Sequence, residues 1–218
     1  MSTDVEVAGE RLALRADRSL FWPRAKALVV ADPHFGKPDT FRAAGVPVPG
    51  NADGPLARLA AALAETAAER LIVLGDFWHA RPGRTPQVMA ELAAWKDARP
   101  RLRVELVRGN HDRAGPPPDG WGEWMVELVE PPFAFAHHPE PSAAGYVLAG
   151  HLHPGVVLGR ERLRLPCFWF GPRVGVLPAF GAFTGAAAVA PAAGDRAYAV
   201  AGDAVIDVSG LVTSGAFR

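Results

Sequence analysis

The sequence predicts an α/β protein of two stacked, mixed β-sheets flanked by helices. In the first half of the chain, short apolar runs alternate with amphipathic helical segments, which is the pattern of a parallel sheet with right-handed crossovers. After the three consecutive prolines at 116–118, short strands follow one another without helices, which indicates a second, more antiparallel sheet stacked on the first. Polar clusters come directly after several of these runs, at the sheet edge where open α/β folds hold ligands.

The chain opens with a short hairpin and a buried strand. Leu12 to Leu14 and Leu20 to Trp22 are apolar runs separated by a short polar segment, as in a hairpin. Ala27 to Val30 is continuously apolar, which is typical of a strand covered on both faces. Residues 38–51 contain three prolines and three polar turn residues, so we expect a loop there that borders a site.

Two helices and two more strands complete this half. Asp53 is placed to cap a helix that begins near Pro55, and Thr85 caps a second helix that has Pro86 at its first position. Both segments repeat apolar residues at helical spacing. The strands that follow these helices are predicted at Leu71 to Leu74 and Leu102 to Val107.

The second half is predicted to consist of strands and turns. Short strands are expected at Met125 to Val129, Phe133 to Ala136, Tyr146 to Ala149, Val156 to Leu158 and Leu163 to Leu165. Ala197 to Ala201 and Ala204 to Val208 form a closing hairpin. Residues 174–194 carry no charge, but prolines and glycines interrupt them, so we expect buried strands and loops rather than a membrane-spanning helix.

Composition limits the class of protein. The 218 residues are predicted to form one domain, 1–218, with an ordinary globular composition of 49% apolar and 21% charged residues. The formal net charge is zero, so no overall basic field gathers nucleic acid. Cys167 is the single cysteine, which excludes an intrachain disulfide and indicates a reducing compartment. A cytoplasmic protein without a membrane segment is therefore expected.

Six of the seven histidines lie in polar clusters that end apolar runs. The clusters are Asp32-Pro33-His34, Gly75-Asp76, Gly109-Asn110-His111-Asp112, His137-His138 and Gly150-His151-Leu152-His153. The seventh, His79, follows shortly after Asp76 and is expected to act as a contact beside the site rather than as a ligand. Mixed imidazole, carboxylate and amide groups suit Mn, Fe, Zn or Ni.

The clusters supply enough ligands for two metal ions. Seven candidates are too many for one open catalytic ion and enough for two ions that share a carboxylate: Asp32, His34, Asp76, Asn110, one histidine of the 137–138 pair, His151 and His153. Two such ions, roughly 3.5–4 Å apart, form a clamp for in-line displacement at phosphorus by an activated water.

In this order, the five clusters resemble the motifs of the calcineurin-like metallophosphoesterases over residues 32–153. The resemblance implies an α+β, four-layer fold in which two sheets pack face to face and a dinuclear site lies at the strand ends. Further stretches are similar to the DNA ligase-associated branch of this family, which works with ATP-dependent ligase, helicase and exonuclease partners in bacterial DNA repair. These stretches are Ala31 to Lys37, Thr40 to Arg42, Gly45 to Pro47, Leu177 to Gly181 and Phe183 to Gly185.

The resemblance also implies roles for individual residues. The first ion would be held by Asp32, His34, Asp76 and His153. The second would be held by Asp76, Asn110, His137 and His151, with Asp76 as the bridge. His137 is preferred to His138 because it ends the strand. His111 would contact a phosphate oxygen and protonate the leaving group, and Asp112 would orient its ring.

The predicted function is a dinuclear-metal phosphodiesterase, a nuclease acting on DNA in repair, in which a metal-bound hydroxide attacks phosphorus. Mn²⁺ is the expected metal, and Fe, Zn and Ni share these ligands. One alternative is an enzyme for nucleotides, cyclic nucleotides or other small phosphoesters, which suits a neutral chain. Another is a non-catalytic binding scaffold on the same fold. A homodimer is compatible with the sequence.

Other residues near the clusters have two interpretations each. Basic side chains that flank the clusters could bind phosphate or simply be solvated: Lys37, Arg81, Arg84 and Arg113. Four tryptophans could stack bases, although burial is the commoner fate: Trp78, Trp95, Trp121 and Trp124. The aromatic stretch from Phe168 to Phe183, in which Arg173 is the single charged residue, is the candidate docking surface for a repair partner if it is exposed.

Overall fold

The computed structural model describes residues 1–48, 54–159, 162–182 and 184–213. Its first sheet has seven strands in chain order: β1 (Ser2–Val7), β2 (Glu10–Arg15), β3 (Leu20–Trp22), β4 (Ala27–Val30), β5 (Arg70–Leu74), β6 (Arg103–Val107) and β7 (Trp124–Met125). Strands β1 to β4 pair antiparallel, and β4 to β7 pair parallel. The carboxyl ends of β4, β5 and β6 therefore meet at one edge, as predicted.

A second, mixed sheet contains the remaining described strands: β8 (Leu128–Glu130), β9 (Phe133–Phe135), β10 (Tyr146–Ala149), β11 (Pro154–Leu158), β12 (Leu163–Phe170), β13 (Val174–Val176), β14 (Ala187–Ala188), β15 (Arg196–Ala201) and β16 (Ala204–Asp207). Its order is β14-β11-β12-β13-β10-β9-β8, with β15 paired to β12 and β16 paired to β15. Strands β9, β10 and β13 run parallel to one another, so β9 and β10 also end at a common edge.

Helices cover the outer faces of the two sheets. They are α1 (Lys37–Ala43), α2 (Pro55–Thr66), α3 (Pro86–Asp97) and α4 (Ser209–Thr213). Side chains of β4 alternate: Val29 enters the core between the sheets, whereas Leu28 and Val30 pack with residues of α2 and α3. This alternation explains the continuous apolar run, because both faces of the strand remove apolar surface from water.

The core between the sheets is rich in aromatic side chains. Trp22 of the first sheet packs edge-on against Phe133 of the second, with ring centroids 5.1 Å apart. Phe135, Phe168 and Phe170 belong to the same buried cluster. Trp78, Trp95 and Trp121 are also buried, in the layer of α2 and α3, so packing accounts for these three rings. No helix among the described residues has the length and apolar character needed to cross a membrane.

Three elements differ from the sequence prediction. Strand β1 was not expected, yet its Val5 and Val7 are buried on alternate positions. Helix α1 occupies part of the predicted loop at 38–51, because Pro38 lies in the first helical turn, where a missing N–H costs no hydrogen bond. The predicted strand Met125 to Val129 is divided between β7 and β8, which belong to different sheets.

Of the predicted helix starts, one is confirmed and one lies outside the described residues, and the predicted docking surface is wrong. Helix α3 begins as expected, with the Thr85 hydroxyl accepting a hydrogen bond from the Val88 N–H at 3.2 Å. Asp53, the expected cap of α2, lies outside the described residues. The stretch from Phe168 is wrong as a docking surface, because Phe168, Leu177 and Phe180 are buried; Phe183 lies outside the described residues.

Candidate metal centre

The structure brings the predicted ligands together at the edge where strands of both sheets end. In chain order they are Asp32 and His34 after β4, Asp76 after β5, Asn110 after β6, His137 after β9, His151 after β10 and His153 just before β11. Four of them are buried: Asp32, His34, Asp76 and His137. A pattern spread over more than half of the chain thus becomes one cluster of side chains.

The backbone at this cluster adopts conformations that non-glycine residues rarely take. Five of the seven candidate ligands have φ in the left-handed region: Asp32 (49°), His34 (48°), Asp76 (48°), His151 (69°) and His153 (47°). Such conformations cost free energy and persist where the surrounding fold enforces them, typically at functional sites. The fold therefore holds these loops in strained geometry at the point where the ligands converge.

Close backbone approaches hold the loops that carry Asp76, His34 and His137 together. The His34 N–H donates to the Asp76 carbonyl at 3.0 Å, which ties the first two loops to each other. A Cβ at Gly109 would lie 2.2 Å from the Asp76 backbone N, and one at Gly75 would lie 2.3 Å from His137 Nδ1. Glycine is required at both positions because a side chain would displace a candidate ligand.

Around His137, several atoms able to bind a metal ion converge on the ring nitrogen Nε2. His137 Nδ1 lies 3.0 Å from the Leu74 carbonyl, which can only accept, so Nδ1 carries the proton of the neutral ring. Its Nε2 lone pair then lies 3.0 Å from Asn110 Oδ1, 3.5 Å from Asp76 Oδ1 and 3.2 Å from His151 Nδ1. The Asn110 and Asp76 oxygens that face this lone pair can only accept hydrogen bonds, and such converging acceptors fit a cation.

A second set of ligand atoms lies on the other side of Asp76. His34 Nε2 is 3.4 Å from His153 Nε2, and His153 Nε2 is 3.6 Å from Asp32 Oδ2. Asp76 reaches both sets, since its Oδ1 is 3.5 Å from His137 Nε2 and its Oδ2 is 4.0 Å from His34 Nε2. This is the placement expected of a carboxylate shared by two ions.

The electrostatics of the cluster also fit divalent cations. Burial raises the pKa of Asp32 and of Asp76, so their ionised forms need positive charge nearby. Burial lowers the pKa of His34 to about 2 and also lowers the pKa values of His137 and His151. These rings are therefore neutral at physiological pH, and the neutral imidazole is the form that binds metal.

His111 lies at the open side of the cluster. Its side chain is 42% exposed, and its Nε2 is 3.9 Å from Asp76 Oδ2. Its Nδ1 lies 2.8 Å from the backbone carbonyl of His79, so Nδ1 donates and Nε2 is the ring atom available to a substrate. The His79 ring stacks on the His111 ring, with centroids 5.7 Å apart and planes 14° apart. The backbone of His79 thus orients His111. Ring nitrogens of His79, His34 and His111 also lie within 4.8 Å of one another, so His79 as a contact beside the site stays a prediction.

The predicted role of Asp112 as the residue that orients His111 is wrong. Its two carboxylate oxygens instead accept hydrogen bonds from backbone N–H groups, of Gly109 at 2.7 Å and of Trp78 at 2.9 Å. Asp112 therefore joins the loop after β5 to the loop after β6. The orienting acceptor, the carbonyl of His79, is a backbone atom that no side-chain pattern in the sequence identifies.

Replacing Asp112 with Asn should lower the stability of the protein. An amide offers one acceptor oxygen where the carboxylate offers two, so one of the two backbone N–H groups would face an NH₂ group inside the protein. We expect a loss of about 1–3 kcal/mol in the free energy of unfolding, measured by urea denaturation of the metal-free protein. The exposed Asp119→Asn is the matched control, and equal stability of the two variants would contradict this role.

His138 and the flanking arginines lie outside the set of candidate ligands. His138 is exposed, and its ring lies 4.3 Å from that of His151, whereas the buried His137 faces Asn110 and Asp76. The Arg84 guanidinium lies 4.9 Å from the Trp78 ring centroid and donates to the Ala114 carbonyl, so it has a structural role. Arg81 and Arg113 are exposed.

Comparisons with known proteins agree with this geometry. A family profile described as calcineurin-like phosphoesterase matches residues 25–153. The crystal structure of Pseudomonas putida nuclease MPE is similar to the chain with a TM-score of 0.83 and 43% identity, covering 95% of this chain and 100% of that one. Yfce, a phosphoesterase from E. coli, gives a TM-score of 0.43 at 15% identity over 84% of this chain and 98% of that one, too low to carry an argument. No curated protein matches the chain.

Proposed function

The chain belongs to the calcineurin-like phosphoesterase family and is a metal-dependent phosphoesterase, and from this we propose that it is a nuclease that hydrolyses phosphodiester bonds in DNA. The observation that carries the proposal is the convergence of seven candidate ligands, with Asp76 between two groups of ligand atoms. The similarity to a nuclease over 95% of the chain favours a polynucleotide substrate. Retention of the ligands together with His111 argues against a non-catalytic scaffold.

In this proposal the protein's own residues hold two ions and position the substrate. Asp32, His34, Asp76 and His153 would bind one ion, and Asp76, Asn110, His137 and His151 the other. Two bound divalent ions, with Mn²⁺ as the proposed metal, would neutralise charge on the phosphate and activate a water for attack. The burial of the carboxylates keeps the dielectric low, which strengthens that stabilisation.

His111 would supply the proton for the leaving oxygen. Its Nδ1–H is fixed on the His79 carbonyl, so a proton on Nε2 is directed toward the open side of the cluster. Protonation of the leaving oxygen matters for a nucleotide, because an alkoxide is a poor leaving group. His111 can also donate to a phosphate oxygen from the same atom.

The resemblance to the DNA ligase-associated branch extends the proposal to DNA repair, beside a ligase, a helicase or an exonuclease. A cytoplasmic location is part of the same proposal, since Cys167 is the single cysteine and is buried. One observation favours a second candidate function. A net charge of zero is what an enzyme for nucleotides or other small phosphoesters would have, because such substrates need no overall basic field.

A panel of substrates separates these functions. Mn-loaded protein is expected to hydrolyse bis-p-nitrophenyl phosphate and a single-stranded DNA oligonucleotide, to act far less on p-nitrophenyl phosphate, and to lose all activity in EDTA. Activity on the two small esters alone would favour the nucleotide or metabolite substrate. If the protein binds metal but hydrolyses none of the three substrates, the phosphodiesterase proposal is overturned and a binding scaffold is favoured.

A further inference from the structure

A lysine lies at the rim of the candidate metal centre, on the side of helix α1. The Lys37 ammonium is 5.9 Å from the centroid of the Phe41 ring, and the Phe41 ring is 5.9 Å from the His79 ring. His79 in turn stacks on His111, whose Nε2 is 3.9 Å from Asp76 Oδ2. A continuous series of contacts therefore joins Lys37 to the shared carboxylate, with the rings of Phe41, His79 and His111 in between.

Lys37 differs from Arg42 and Arg84, two other basic residues near this rim. Arg42 pairs with Asp39 at 3.0 Å, and Arg84 packs on Trp78. Over the described ranges of the chain, no carboxylate lies within 4.0 Å of the Lys37 ammonium, although its side chain is half-buried.

We propose that Lys37 binds a phosphate of the DNA strand next to the one that is cleaved, an inference that rests on the proposed function. In the proposed function the cleaved phosphate would lie at the two ions, within reach of His111 Nε2 on the open side of the cluster. The ring contacts lead from Lys37 through Phe41 and His79 to His111, so Lys37 lies beside the catalytic position, where its ammonium would meet the strand at the neighbouring phosphate. A polynucleotide carries a phosphate there, whereas bis-p-nitrophenyl phosphate has a single phosphate.

This assignment gives a neutral protein a means of selecting polynucleotides. With a net charge of zero, the chain has no general field for DNA, so its affinity depends on individual phosphate contacts. A lysine acts toward phosphate as a point charge, so the contact carries no base preference. Lys37 would therefore raise the specificity for DNA over small diesters without reading the sequence.

Binding and turnover of Lys37→Met test the proposal. Fluorescence anisotropy with a labelled single-stranded oligonucleotide would be measured on the Mn-loaded protein in a His111→Ala background, which keeps all seven candidate ligands and should cleave slowly. We expect the added Lys37→Met to raise Kd about tenfold at low salt, equally for oligonucleotides of different sequence. The slope of log K against log salt should become less negative by about 0.7, the value for one phosphate contact on a single strand.

The matched control is Lys26→Met. Lys26 precedes β4 at the far end of the strand from Asp32 and pairs with Glu69 at 2.6 Å, so this variant should not change Kd or the salt slope. In the His111-containing protein, Lys37→Met should lower kcat/KM for the oligonucleotide about tenfold more than kcat/KM for bis-p-nitrophenyl phosphate.

Two results would overturn the assignment. If Kd and the salt slope of Lys37→Met equal those of Lys26→Met, Lys37 makes no phosphate contact. If kcat/KM falls equally on both substrates, Lys37 acts at the cleaved phosphate. Failure of the proposed function gives a different result: the protein with intact Lys37 would hydrolyse bis-p-nitrophenyl phosphate but neither bind nor cleave the oligonucleotide, and the inference would fail with it.

Discussion

Asp76→Asn is expected to lose bound metal and to lower turnover of bis-p-nitrophenyl phosphate by about 10³-fold or more. The carboxylate directs one oxygen to each group of ligand atoms, and the amide can direct an oxygen to only one of them. The variant also removes the negative charge that two cations would share. Charge stabilisation by metal ions contributes several kcal/mol to such reactions, and each 1.36 kcal/mol changes the rate tenfold.

The same substitution is designed to preserve the fold. Asp76 Oδ1 accepts a hydrogen bond from the His111 N–H at 2.9 Å, and the amide oxygen of Asn can accept it as well. Metal content by mass spectrometry, turnover and urea unfolding of the metal-free protein would be measured together, with the exposed Asp97→Asn as control. Two equivalents of metal and turnover within tenfold of the unchanged protein would exclude Asp76 as the shared ligand.

Much of the fold could be predicted because buried strands appear in the sequence as continuous apolar runs. Ala27 to Val30 was expected as a strand covered on both faces, and β4 has these bounds with all four residues buried. The polar clusters at the ends of such strands then converge by topology, since parallel strands deliver their carboxyl ends to one edge. The side chains that can bind metal can therefore be identified from the sequence before the structure is known.

What could not be predicted depends on backbone atoms and on partner strands. The carbonyls of Leu74 and His79 orient His137 and His111, and every residue has a carbonyl, so composition gives no signal. The assignment of Met125 to one sheet and Leu128 to the other depends on which strands lie alongside. The family resemblance implied that Asp112 orients His111, yet its carboxylate is directed at backbone N–H groups.

His111→Ala should affect DNA cleavage far more than hydrolysis of an activated ester. General acid catalysis contributes about 10²–10⁴-fold, so we expect oligonucleotide cleavage to fall by about that factor. p-Nitrophenolate is a stabilised anion that leaves without a proton, so bis-p-nitrophenyl phosphate should lose much less. The seven candidate ligands do not include His111, so metal content should match that of the unchanged protein.

The difference between the two substrates distinguishes an acid from a residue that only binds phosphate. Loss of a phosphate contact would slow both substrates alike, whereas loss of a proton donor slows the substrate with the poorer leaving group. His111→Gln, which keeps a hydrogen-bond donor but cannot transfer a proton, should behave like His111→Ala on DNA. If His111→Gln instead restores DNA cleavage, or if both substrates slow equally, His111 positions the phosphate and another group supplies the proton.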